Sequence, residues 1–263
     1  MSHGTVLVTG ASAGIGRALT DQFAANGWDP VLVARREERL ASACEELEAA
    51  FGVDADYVVQ DLAVDGACDA LYGTVTEELG REVDILVNNV GVGTQGEYVD
   101  VEAERDLQQL QLNVVVPSHL AKLFGRDMKQ RGDGYVLNVA SSAAFQPGPY
   151  MAVYYASKAY LLSFSEALHE ELKPHGVTVT ALCPGPVETE FQERAENTDT
   201  PIGGGRGGFV SFQQADEVAE AGYDGLMDGK AVVIPGLDYK LLAKLTGVLP
   251  RSVTRRLAAQ LNH

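Results

Sequence analysis

A chain of 263 residues, 46% hydrophobic and 22% charged, carries enough apolar material for a full globular core. Its net charge of −17 argues against nucleic acid as a partner, because the phosphates would be repelled. No apolar run approaches the roughly 18 residues that a membrane-spanning helix needs.

The amino terminus, MSHGTVLV, lacks the basic start, apolar run and cleavage site of a signal peptide, so a cytoplasmic location is expected. Cys44, Cys68 and Cys183 are scattered and form no C-x-x-C pair, which suits small buried hydrophobes in a reducing compartment. His169-Glu170 begins like H-E-x-x-H, but Lys173 takes the second histidine's place, and no structural metal is expected. Thirteen of the twenty basic residues are arginine; the composition suits either a salt-rich habitat or an ordinary acidic protein surface.

In chain order, strand-length apolar runs stand at Thr5–Thr9, Pro30–Ala34, Asp56–Gln60, Asp84–Asn88, Tyr135–Val139, Val177–Leu182 and Ala231–Ile234. Their β-branched, unalternating character predicts burial on both faces, as in a parallel sheet. Helical periods lie between them, for example at Glu37–Ala50 and Tyr154–Lys173. Strand–helix alternation throughout predicts one α/β domain over 1–263, a doubly wound, mostly seven-stranded parallel sheet with helices on both faces. The stretch Pro184–Phe212, rich in Gly and Pro, interrupts the pattern after a strand's carboxyl end, where ligands sit in such sheets. It reads as a substrate loop or lid, or simply as a flexible excursion.

The first turn, Thr9 to Gly16 (TGASAGIG), has two readings. Gly10-x-Ser12-x-Gly14 fits a hydrolase's nucleophile elbow. That elbow needs an oxyanion loop from an earlier strand, and here it follows the first strand. The other reading is a glycine-rich strand-to-helix turn that exposes amides at a helix amino terminus to a dinucleotide's phosphates. Gly10, Gly14 and Gly16 then allow close approach, and Ser12 donates to phosphate. The strict G-x-G-x-x-G is not matched, since Leu19 stands where a third glycine would be.

After the second strand, where an acid would bind a free ribose 2′-hydroxyl, stand Arg35 and Arg36. Guanidinium groups bind a 2′-phosphate through paired, charge-assisted hydrogen bonds, which favours NADP over NAD. Alternatively, both merely decorate a helix start beside Glu37 and Glu38. Tyr154 and Lys158 stand four apart on one helix face. A nearby ammonium favours phenolate, so a lowered tyrosine pKa and acid–base work by Tyr154 are expected.

TGASAGIG at 9–16, DL at 61–62, NNVG at 88–91, Asn113, NVASS at 138–142, YYASK at 154–158 and PGPVET at 184–189 occur in the order that marks the short-chain dehydrogenase/reductase family. The chain resembles that family, in its compact form, from Thr5 to about Ile234. The resemblance implies an NADP-dependent carbonyl reductase or alcohol dehydrogenase, with Asn113, Ser141, Tyr154 and Lys158 as catalytic residues. Ser141 is preferred to Ser142 because it completes N-[IV]-x-S from Asn138. Lys158 would also hold the nicotinamide ribose, Asn113 a relay water, Asp61 the adenine amine and Leu62 a backbone contact. Val187 and Thr189 would meet the carboxamide and phosphate, while Ile15 and Asn88 complete the implied cofactor contacts. Val90 departs from the family's N-N-A-G, which bears on packing near the adenosine ribose.

The resemblance also implies a homodimer or homotetramer and a small-molecule substrate. Substrate choice is expected from Val92–Tyr98, Ala143–Val153 and Pro184–Phe212, whose Phe145, Pro147, Pro149, Tyr150 and Met151 suggest an apolar mouth for hydrophobic ketones. A helical extension at about 238–263 mixes basic residues with leucines and reads as an oligomer contact, a lid or a surface-associating helix. The competing functional class is a nucleotide-binding regulator without catalysis, disfavoured because all four catalytic positions are filled.

Overall fold

The computed structural model describes residues 3–191, 195 and 212–262. Seven strands form one parallel sheet in the order β3-β2-β1-β4-β5-β6-β7. They are β1 (Thr5–Thr9), β2 (Asp29–Ala34), β3 (Asp56–Val59), β4 (Val83–Asn88), β5 (Gly134–Val139), β6 (Val177–Leu182) and β7 (Val232–Val233). The order reverses between β1 and β4, so their carboxyl ends open a crevice between diverging connections.

Between the strands run α1 (Gly14–Ala25), α2 (Glu37–Phe51), α3 (Ala67–Gly73), α4 (Ala103–Leu110), α5 (Val116–Arg131) and α6 (Ala152–Leu172). After β6 come α7 (Ala215–Met227), α8 (Leu237–Val248) and α9 (Arg251–Asn262). The alternation of side chains along β1 sends Val6 and Val8 into one core with Leu19, Phe23, Leu40, Leu47 and Val218. Leu7 joins the opposite core with Val33, Leu71, Leu120, Phe124 and Met128. Each face therefore needs apolar residues at every strand position, which accounts for the runs without alternation. Truncating a fully buried ring such as Phe23 to alanine should cost roughly 3–5 kcal/mol.

Strands β1 and β6 match expectation at both ends, β2, β4 and β5 each begin one residue earlier, and β3 and β7 are shorter. β3 stops at Val59 because it forms the sheet edge, with Tyr57 and Val59 exposed. β7 shrinks to two residues that pair with Ala181 and Leu182. The three cysteines are free and buried.

Candidate active site

The glycine turn is built by backbone constraint. Gly10 (φ +69°) and Gly14 (φ +58°) adopt left-handed conformations that a side chain would strain. A Cβ at Gly16 would meet the Gly10 carbonyl oxygen and the Asn89 carboxamide, so α1 begins hard against the turn. Thr9 fixes the turn to the neighbouring strand: its hydroxyl donates to the Val87 carbonyl at 3.2 Å and accepts from the Asn89 amide at 3.0 Å. The Asn89 side chain donates to the Thr9 carbonyl at 2.9 Å. The result is a bare cradle at the amino terminus of α1 that side chains would otherwise fill.

A cavity of about 320 Å³ opens from this cradle along the carboxyl ends of the sheet. Gly10, Ser12, Gly14, Ile15 and Gly16 line one end. Arg35, Arg36, Asp61 and Leu62 lie beside them, while Ser141, Tyr154, Lys158, Val187 and Thr189 line the rest. Two expected site residues stand behind this wall. Asn113 is buried and pinned at both ends of its carboxamide. Its oxygen accepts from the Val92 amide at 3.0 Å, while its nitrogen donates to the Val92 carbonyl at 2.9 Å and the Ser157 hydroxyl at 3.0 Å. It sits in a single π-helical turn, Gln111–Val115, rather than in regular helix; such turns free backbone groups and recur at functional sites.

Asn88 requires a correction. Its side chain does not line the cavity; it points into the core, donating to the Asn138 carboxamide oxygen at 2.8 Å. Asn138 in turn donates to the Ser165 hydroxyl at 2.8 Å, so the pair joins β4, β5 and α6. Asn89, the next residue, faces the cavity instead.

The reacting end is compact. The Ser141 side chain lies near enough to the Tyr154 phenol to favour its ionised form. Ser141 also caps the short helical turn Ser142–Phe145, its hydroxyl accepting from the Ala143 amide at 3.1 Å. The Lys158 ammonium donates to the Val139 carbonyl at 2.8 Å and lies 5.8 Å from the Tyr154 ring centroid. A Cβ built on Gly91 would lie 3.1 Å from the Asn113 carboxamide oxygen and 3.5 Å from the Lys158 nitrogen, so both flank one small space.

Burial governs the charges here. It pushes the Tyr154 phenol up to about 12, with Ser141 pulling the other way. It pulls Lys158 down to about 8. Within the protein itself, desolvation sets the direction of the Tyr154 shift, and Tyr155 adds to it.

At the other end, Arg35 stands 3.6 Å from the Asp61 carboxylate. Arg36 donates to the Ser12 hydroxyl at 3.0 Å and to Glu190 at 3.0 Å. Arg39 donates to the other Glu190 oxygen at 2.6 Å. The Arg39 and Arg36 hydrogen bonds pull the Glu190 carboxyl down to about 2. No histidine lines the cavity among the described residues, and Ser12's partner is a guanidinium that cannot act as a base. The hydrolase reading therefore has nothing to activate its nucleophile.

Four wall residues not named from the sequence come from the two stretches expected to bear on substrate, 184–212 and 238–263. Phe191 lies 5.4 Å, centroid to centroid, from the Tyr154 ring, and Tyr239, Leu242 and Leu261 arrive from α8 and α9. Tyr239 packs flat against the backbone of Gly185, where a Cβ would collide with its ring. Most of the glycine-rich part of the 184–212 stretch, including Gly203–Gly208, lies outside the described residues.

A family model described as short chain dehydrogenase matches residues 4–200. The chain belongs to the short-chain dehydrogenase/reductase family. Its sheet is of the Rossmann type. A short chain dehydrogenase of Pseudocercospora fijiensis is 38% identical over 71% of this chain and 60% of its own length. The chain spans about half the length of the curated relatives it matches. A solved short-chain dehydrogenase from Sphingobium yanoikuyae in complex with NADPH superposes with a TM-score of 0.82 at 32% identity, covering 93% of both chains. The bulky-bulky ketone specific alcohol dehydrogenase from Comamonas testosteroni does so at 0.78 and 26%, covering 94% of both.

Proposed function

We propose that this short-chain dehydrogenase/reductase interconverts a carbonyl and a secondary alcohol with NADP(H). The observation that carries this reading is the phenol of Tyr154, beside Ser141 and Lys158 on the wall of a cavity whose far end is a side-chain-free cradle at a helix amino terminus. The cradle, with Ser12, Gly14, Ile15 and Gly16, fits a pyrophosphate. Arg35 and Arg36 would meet a 2′-phosphate, Asp61 and Leu62 the adenine, and Val187 and Thr189 the carboxamide end. A similar protein, from Sphingobium yanoikuyae, carries NADPH, which supports that assignment.

The bound nicotinamide would supply the hydride. Ser141 orients the substrate oxygen toward Tyr154, and Tyr154 protonates the alkoxide as it forms. Because the phenol stays protonated well above neutral pH, the site is prepared for carbonyl reduction. Lys158 supplies positive charge beside the phenol, and Asn113 holds the wall from which a proton relay would run. Phe191, Met151 and Tyr155 give the mouth an apolar lining, which supports hydrophobic ketones as substrates. The exposed Leu107 and Leu110 of α4 and Val115 just after it support the pairing of copies expected from the family.

The test is a panel of aliphatic, aromatic and steroid-sized ketones with NADPH or NADH, followed by loss of reduced-nicotinamide absorbance. Turnover of at least one ketone with a preference for NADPH is expected. Inactivity on every ketone and aldehyde, with NADPH still bound, would favour the regulator instead.

A further inference from the structure

We infer that the outer face of α8 and α9 is a docking surface for an anionic lipid bilayer. Along α8, Leu237, Leu241, Leu245 and Val248 recur at helical spacing and are all exposed, Leu237 and Val248 by 83% and 85%. This apolar stripe faces outward, because Tyr239 is the residue that α8 buries against the body. Leu249, Val253 and Leu257 extend the exposed apolar surface through the turn and onto α9. Lys240 and Lys244 border the stripe, and Arg251, Arg255 and Arg256 are exposed on α9. None of these five forms an ion pair with a described residue.

Residues 237–262 hold five basic side chains against one acid, Asp238, a local charge of +4 in a chain of −17. Leucines edged by cations are the chemistry that sits at a headgroup boundary, apolar side chains among acyl chains and ammonium groups at the phosphates. The acidic remainder of the chain does not forbid this. Charges more than about 8 Å from the surface are screened at physiological salt, so the contacting face decides.

A second copy fits the same face poorly. A two-fold contact would oppose the five cations to themselves, with Asp238 the one carboxylate within 237–262 to pair them. The inner side of the two helices gives docking a consequence. Leu242 and Leu261 line the cavity, and the Asn262 carboxamide accepts from the Tyr155 hydroxyl at 3.2 Å and donates to the Pro149 carbonyl at 3.0 Å. Docking would set the mouth of the cavity at the bilayer surface.

The experiment is co-sedimentation of the full chain with phosphatidylcholine vesicles, with and without phosphatidylglycerol, across a salt series. Binding to the anionic vesicles that fades with salt, and little to phosphatidylcholine alone, is expected. Lys240→Glu with Lys244→Glu should weaken it by at least about tenfold, as should Leu241→Gln with Leu245→Gln. Circular dichroism and Tm establish that the variants are folded, and the wild-type lipid and salt dependence stands without them. Absence of binding, equal binding to both vesicle types, or folded variants that bind like the wild type would overturn the inference. So would sedimentation velocity in which Leu241→Gln with Leu245→Gln abolishes self-association, since the face would then join two copies.

Discussion

The Arg36 guanidinium donates to the Glu190 carboxylate at 3.0 Å, tying the segment after β6 to the start of α2 across 154 residues of sequence. Arg39 holds the other oxygen of the same carboxylate. An internal anion thus occupies guanidinium groups at the end of the cleft where a cofactor's 2′-phosphate is proposed to lie.

Competition for those groups gives the first prediction. Glu190→Gln should tighten NADPH severalfold and leave NADH nearly unchanged, because it removes one negative charge from Arg36 and Arg39. Arg35→Asp should do the reverse, weakening NADPH by roughly ten- to hundredfold, the worth of a charge-assisted contact. Titration of both cofactors by fluorescence, in low and moderate salt, reads both effects. Equal loss of NADH and NADPH in Arg35→Asp would reduce Arg35 to a surface charge.

A second prediction concerns the proton donor. Tyr154→Phe keeps the ring against Phe191 but removes the hydroxyl beside Ser141. General acid catalysis is worth roughly 10²–10⁴-fold, so kcat should fall by at least about a hundredfold with cofactor affinity within a few fold. A variant retaining more than about a tenth of the wild-type rate would remove Tyr154 from the mechanism.

Rate and stability should depend on pH through Lys158 and Tyr154 in distinct windows. Lys158, pulled down to about 8 by burial, loses its charge above that pH, so carbonyl reduction should decline there while Tyr154 remains protonated. Between about 8 and the ordinary 10.5, the unfolded chain binds more protons at this lysine than the folded one, so its contribution to stability improves as pH rises. Tyr154 acts oppositely between its ordinary 10 and about 12, where the folded state binds more protons. A kcat/KM profile flat to pH 10 would count against Lys158.

Strands could be located in the sequence because both sheet faces are buried, which leaves runs such as Val31-Leu32-Val33 that no amphipathic helix would show. The helix that carries the proposed catalytic pair was legible for a similar reason, since Tyr154 and Lys158 are one turn apart. What escaped depends on three-dimensional neighbours. Asn88 and Asn89 are chemically identical at a strand end, and only the pleat decides which enters the core. Arg39 and Glu190 meet from remote segments, and Tyr239 reaches the cavity from beyond the last strand. The burial that raises the Tyr154 phenol also escaped, because spacing reveals a nearby lysine but not desolvation.

The last prediction tests the space between Asn113 and Lys158. Gly91 does not have positive φ, so alanine there adds a methyl group without backbone strain. That methyl would lie 3.1 Å from the Asn113 oxygen, closer than an ordinary contact, and 3.5 Å from the Lys158 nitrogen, crowding the approach between them. Asn113 cannot yield, since Val92 and Ser157 hold its carboxamide. Gly91→Ala should therefore lower kcat by about tenfold or more while NADPH affinity stays close to wild type, with a modest fall in Tm from the close contact. A solvent isotope effect on kcat should change with it, since the proton must then reach Tyr154 by another route. If kcat and the isotope effect match the wild type, no relay passes between Asn113 and Lys158. If cofactor affinity falls instead, the methyl acts on the nucleotide, and the space serves binding rather than proton transfer.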